Sequence, residues 1–193
     1  MSIETLKNDI AGYRQSLLAD LDRVVHLDSF STDKADVDRV GDAFTKILET
    51  SGATVKKHPS AEYGDTLEAT MVGSGTAKIM MLGHIDTVHK RGATERYPYR
   101  IEGDIAYGPG TEDMKAADLM GAYTMRMLRD KGYDAFGTLT LVLNTDEEIG
   151  SPSSRTLIEN LARQHDVVLV LEGPQTRREI VSTRKGGAKF TLT

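Results

Sequence analysis

The chain has 193 residues, 39% of them hydrophobic and 27% charged, with a formal net charge of −5 and no cysteine. That composition is ordinary for a globular protein with a sizeable core, and it excludes disulfides and thiolate metal sites. The negative balance leaves no basic surface for nucleic acid or anionic lipid. No apolar run approaches the roughly 18 residues of a membrane span, and Met1 to Asp9 is polar and charged, unlike a signal peptide. A cytoplasmic protein with neither nucleic-acid nor membrane partners is expected, as one domain or a large part of two.

From Ile3 to Val25, apolar residues at Ile3, Leu6, Ile10, Tyr13, Leu17, Leu21, Val24 and Val25 follow one face of a long helix. Ser29 to Asp33 supplies capping residues for a second helix, with Val37, Val40, Phe44, Ile47 and Leu48 inward and Gly52 as its stop. Ala53 to Lys57 and Leu67 to Val72 read as strands around the turn-rich Pro59 to Asp65. Ala77 to Leu82 is a compact apolar strand running into Gly83-His84-Ile85-Asp86-Thr87. Arg91 to Asp104 reads as a long functional loop, followed by a short strand, Ile105 to Tyr107, and Gly108-Pro109-Gly110. Helical spacing returns from Lys115 to Lys131, and an apolar strand from Leu139 to Leu143 ends in Asp146-Glu147-Glu148. Ser153 to Gln164 reads as a helix and Val167 to Leu171 as a buried strand ending at Glu172. Ile180 to Ser182 and Ala188 to Leu192 read as further strands.

Strands alternating with helices predict an α/β fold, a mostly parallel sheet covered on both faces. In such sheets ligands bind beyond the carboxyl ends of the strands. Here the polar clusters follow the strands ending at Leu82, Leu143 and Leu171, so three chemistry-bearing segments are predicted to meet at one sheet end. Adjacent carboxylates at a buried strand end repel one another unless a cation sits among them; the alternative is a solvated acidic turn. His84 followed by Asp86 suits a ligand whose second ring nitrogen is held by a carboxylate, although a satisfied polar turn reads the same way. Asp113 precedes a helix and serves equally as a helix-start residue. Lys115 reads as a structural partner. Glu147 and Glu148, as neighbours, point in different directions, which lets one bind a metal while the other handles a proton.

The segments His84-Ile85-Asp86-Thr87-Val88, Gly108-Pro109-Gly110 with Asp113-Met114-Lys115, Asp146 to Ser151, and Glu172, in that order, resemble the M20 metallopeptidases. Tyr107 to Gly110, Asn144 to Glu148 and Arg184-Lys185-Gly186 make the chain most similar to the glutamate carboxypeptidase branch, over nearly everything from Phe30 onward. The resemblance implies a three-layer αβα catalytic domain of the zinc-peptidase type with a mostly parallel mixed sheet, incomplete in this chain. Residues 1–183 would be its amino-terminal part and 184–193 the start of a lid or dimerisation domain.

It further implies two divalent metals per complete site, usually Zn2+, although a carboxylate-rich ligand set also admits Mn2+ or Co2+. Asp113 would bridge them, His84 and Glu172 would complete one site, and Glu148 would belong to the other. Glu147 would be general base and acid, Asp86 would orient His84, and the Asp113–Met114 peptide would be cis. The expected reaction is hydrolysis of an amide next to a free-carboxylate amino acid, in a peptide or N-acyl amino acid. The second metal's histidine, a substrate-clamping arginine and a lid histidine lie, in the family, beyond the segment matched here. The remaining histidines, His26, His58, His89 and His165, match no ligand motif. The competing expectation is a non-catalytic fragment holding at most one metal. Homodimerisation is left open for the full-length protein, and an exposed sheet edge in this chain is expected to favour self-association.

Overall fold

A computed structural model describes residues 3–173 and 181–182. Two long helices open the chain, α1 (Ile3–Val25) and α2 (Lys34–Thr50). Asp33 caps α2 by accepting the Asp36 amide, and the helix stops at Ser51 before Gly52, whose φ is +92°. Strands β1 (Thr54–His58), β2 (Thr66–Val72) and β3 (Lys78–His84) follow. The segment read as one long loop, 91–104, contains a short helix, α3 (Ala93–Arg96), and a strand, β4 (Arg100–Glu102), which forms a hairpin with the expected strand β5 (Ile105–Tyr107). Gly103 at φ +59° makes the hairpin turn. The remaining elements are α4 (Ala116–Asp130), β6 (Thr138–Asn144), α5 (Arg155–Ala162) and β7 (Val167–Val170).

The main sheet has the order β1-β2-β6-β3-β7. β3 runs parallel to β6 and to β7, whereas β2 is antiparallel to β6 and to β1. The fold is therefore α/β with a mixed sheet. Side chains alternate across β6, and each set meets a different helical layer. Leu139, Leu141 and Leu143 join α1, α2 and α4 in the larger core, around Val25, Phe44, Leu48, Leu119 and Met125. Val142 faces the other way and packs with Met80, Leu157, Ile158 and Leu161 beneath α5. These are the three layers that the sequence implies.

One expectation is corrected. Val167 to Leu171 was expected to be a buried strand, but all four β7 residues are exposed, Val170 to 62%. β7 is an edge strand, bonded among the described residues to β3 alone, and the α5 layer does not cover it. Apolarity reports that a strand suits burial, not that a neighbour is present. Of the two later strands, only Val181 and Ser182 fall among the described residues, and neither is in a strand; the rest, residues 184–193 included, lie outside them.

Candidate metal centre

Register assembles the site. In the parallel β3–β6 pair His84 lies opposite Asn144, and in β3–β7 Leu82 lies opposite Val170. The segment after His84, the acidic turn after Asn144 and Glu172 therefore emerge at one edge of the sheet. Asp113 arrives from the helical layer, in a distorted turn (Thr111–Lys115) that leads into α4. Asp113 and Met114 have non-helical dihedrals there, and the peptide between them is cis, as expected. Gly110 enters this turn at φ +69°, and a Cβ on it would lie 2.6 Å from the Thr87 methyl, so only glycine fits. Lys115 is a buried structural anchor: its ammonium donates to the carbonyls of Val24 and Leu27 at 3.1 and 2.8 Å.

His84 is 1% exposed, and its two nitrogens face different surroundings. Nδ1 donates to the Asp86 main-chain carbonyl at 3.0 Å and lies 3.3 Å from the Asp86 carboxylate. Nε2 looks out at Asp113 Oδ1 at 3.0 Å, Glu172 Oε2 at 3.6 Å and Glu147 Oε2 at 3.9 Å. One ligand atom each from His84, Asp113 and Glu172 lies within 4.8 Å of the other two, a spacing that can hold a metal ion. Glu148 stands outside this trio, though close enough for the Asp113 charge to act on it. The backbone brings it there: Asp86 accepts the amides of Glu147 and Glu148, one on each carboxylate oxygen, both at 3.2 Å. The remaining histidines go elsewhere: His26 to Asp22, His58 to Glu68, and His165 to Leu161 and Thr140. His89 is not in the trio.

Electrostatics point to positive charge. Burial disfavours an imidazolium at His84, but the hydrogen bond and charge of Asp86, with the charges of Asp118 and Glu147, outweigh it and raise its pKa to about 10. Burial, then the charge of Asp113, pushes Glu148 up. Burial likewise raises Glu172, with Asp113 and Glu147 adding to it against His84. A pocket that favours a proton on His84 and disfavours ionisation of Glu148 and Glu172 has a deficit of positive charge. One imidazole nitrogen among carboxylates is a donor set for zinc, manganese or cobalt.

Two supporting residues were not legible as such in the sequence. Asp146, which looked like a third member of the acidic cluster, is fully buried and takes no part in the trio. Its carboxylate accepts the amides and hydroxyls of both Ser153 and Ser154, pinning the turn that presents Glu147 and Glu148. Ser31, which looked like one of several capping residues, donates its hydroxyl to Asp86 at 2.6 Å from 55 positions away. The serines after Asp146 were the available signal for the first; no local pattern announces the second.

The sequence model of peptidase family M20/M25/M40 matches residues 80–190. Carboxypeptidase G2 of Pseudomonas sp. (strain RS-16) is 32% identical over 177 residues, covering 91% of this chain and 43% of that protein. Human carnosine dipeptidase 1 superposes with a TM-score of 0.73 at 18% identity, over 88% of this chain and 41% of its own. The M20 family metallo-carboxypeptidase Sso-CP2 from Sulfolobus solfataricus gives 0.69 at 19% identity, over 80% and 36%. The chain thus spans about two fifths of the length of these relatives. At the levels of identity seen in the solved structures the likeness establishes the fold, and the family model and the carboxypeptidase relative establish the lineage: the chain belongs to peptidase family M20/M25/M40.

Proposed function

We propose that this chain carries the metal-binding core of a hydrolase that cleaves an amide bond beside a free-carboxylate amino acid, in a small peptide or an N-acyl amino acid. The observation that supports it most is the split environment of His84, with Nδ1 tied back to Asp86 and Nε2 turned towards Asp113 and Glu172. His84 and Glu172 would hold one divalent ion, Asp113 would be shared with a second, and Glu148 would belong to that second ion. Zn2+ is the preferred metal. Residues 1–183 would be the amino-terminal part of the catalytic domain, and 184–193 the start of a lid or dimerisation domain.

When bound, such ions supply Lewis acidity and make water nucleophilic near neutral pH. The rest falls to the chain's own groups. The Glu147 carboxylate is half exposed at the mouth of the site, 3.9 Å from His84 Nε2, so it can receive a proton from the attacking water and pass it to the departing amine. Asp86 holds the amides of Glu147 and Glu148 and the His84 ring through one carboxylate. The base and the ligand are therefore placed by the same group.

A second reading is favoured by the chain's span of about two fifths of its relatives: the 193 residues bind metal without turnover. One experiment separates the two. Metal content per chain is measured after dialysis against zinc, for wild type, His84→Ala and Glu148→Ala, and the same samples are assayed on substrates ending in glutamate. Two ions per chain, one lost in Glu148→Ala, with turnover abolished by Glu147→Gln, support the hydrolase. One ion without turnover supports the second reading, and no ion lost in His84→Ala refutes both.

A further inference from the structure

Asp86 is fully buried, and both oxygens of its carboxylate are engaged. Oδ1 takes the Glu147 amide at 3.2 Å and lies 3.3 Å from His84 Nδ1. Oδ2 takes the Glu148 amide at 3.2 Å and the Ser31 hydroxyl at 2.6 Å. The Ser31 contact is the shortest of the four, and hydrogen bonds to an ionised acceptor are the strong ones. Ser31 has a single hydroxyl proton. Among the described residues the Thr87 carbonyl, at 3.5 Å, is the only other acceptor for it, so the carboxylate receives that proton.

Ser31 is itself held rigidly. Its amide donates to the Thr87 carbonyl at 3.3 Å, and the Thr87 amide donates to Ser29 at 2.7 Å. Phe30 and Thr87 thus form a parallel bridge. Two residues on, Asp33 caps α2, whose apolar face lies in the larger core. The loop between α1 and α2 is therefore laced directly onto the His84-to-Asp86 segment, and Ser31, 1% exposed, is its reach into the site.

We propose that Ser31 is a positioning residue: its hydroxyl sets the rotation of the Asp86 carboxylate, and through it the aim of His84 Nε2 and the seat of the Glu147–Glu148 backbone. Without that hydroxyl the carboxylate loses its strongest tether and turns about its last bond. The His84 Nδ1 hydrogen then relies on the Asp86 main-chain carbonyl alone. Ser31 touches neither substrate nor metal, and its effect passes entirely through Asp86. The proposal rests on the metal-site reading above.

The test is a Co2+ titration of the full chain followed by visible absorption, with thermal melting in chelator as the control for folding. Ser31→Ala is expected to weaken Co2+ binding about tenfold, the lower end of what loss of a partner behind a ligand costs. Its absorption bands should shift, while in chelator its melting temperature falls by no more than several degrees, the cost of one buried hydrogen bond, in a transition as cooperative as that of wild type. Ser31→Thr, which keeps the hydroxyl, should restore both affinity and spectrum. In an Asp86→Ala background, Ser31→Ala should have no further effect, because the group it acts through is gone. Unchanged affinity and bands in Ser31→Ala would overturn the proposal, as would the same tenfold loss persisting in the Asp86→Ala background. Failure of the wild-type chain to bind Co2+ at all would instead remove the metal-site reading, and this proposal with it.

Discussion

Gly83 sits immediately before His84 on β3, and replacing it by alanine perturbs the site without touching a ligand. A Cβ there would stand 2.0 Å from Asp118 Oδ1, 3.2 Å from its Cγ and 3.3 Å from the Met114 terminal methyl. Comfortable contact is about 3.5–4 Å, so roughly 1.5 Å must be found. Asp118 cannot swing aside into solvent, because it is 0% exposed on the inner face of α4. The β3 backbone suits alanine, since Gly83 does not have a positive φ. The penalty is thus steric, and Gly83→Ala should cost about 1–3 kcal/mol, the usual price of overpacking a core.

The partner residue makes this reasoning checkable. Neither carboxylate oxygen of Asp118 has a hydrogen-bond partner among the described residues, so Asp118→Ala breaks no hydrogen bond and vacates the space that the new methyl needs. The double variant Gly83→Ala, Asp118→Ala should recover most of the loss, with a coupling of about 1–3 kcal/mol in a four-member cycle. Urea denaturation of all four proteins in chelator provides the numbers, and a zinc titration reads whether His84 has moved. Gly83→Ala within about 0.5 kcal/mol of wild type, or additivity across the cycle, would refute the account.

Removing Asp146 should loosen the turn beside the site: Asp146→Ala deletes the acceptor of four hydrogen bonds, but the Ser154 hydroxyl keeps Asn144 at 2.9 Å and exposed Ser153 can turn to water, so the cost in urea denaturation is expected at about 1–3 kcal/mol. Acid stability follows from Asp28 and Asp65. In each, burial pushes the pKa up but is outweighed, at Asp28 by the amides of Gly92 and Thr94 and at Asp65 by Lys34 and the Ser60 amide, leaving both below the usual value. Their contribution is therefore complete above the unfolded pKa of about 4 and lost as pH falls through the lower folded values. Asp28→Asn should accordingly flatten the stability curve below about pH 4, and an unchanged curve would contradict this assignment. Zinc at 100 times its dissociation constant should stabilise the chain by about 2.7 kcal/mol, an effect that His84→Ala should abolish. The exposed apolar β7 edge should drive self-association that Leu169→Lys reduces; a wild-type monomer in sedimentation at high concentration would count against it.

Local chemistry along the chain determined a good deal. Helical spacing in α1, α2 and α4 and apolar runs in β3 and β6 specify their own elements, because periodicity is a property of neighbouring residues. The polar segments after three strands located the candidate site, since the carboxyl ends of β6, β3 and β7, which run parallel, share a rim. What the tertiary structure alone decided are relations between distant residues. The antiparallel place of β2 beside β6, the exposure of β7 and the strand β4 within residues 91–104 depend on which neighbours are available. Asp146 and Glu147 are adjacent acids of the same kind in the sequence, yet one is sealed among serine donors and the other opens towards His84 in the candidate metal site. Ser31 carries no mark of its contact with Asp86, because a hydrogen bond across 55 positions exists only once the loop between α1 and α2 has been laid against the end of β3.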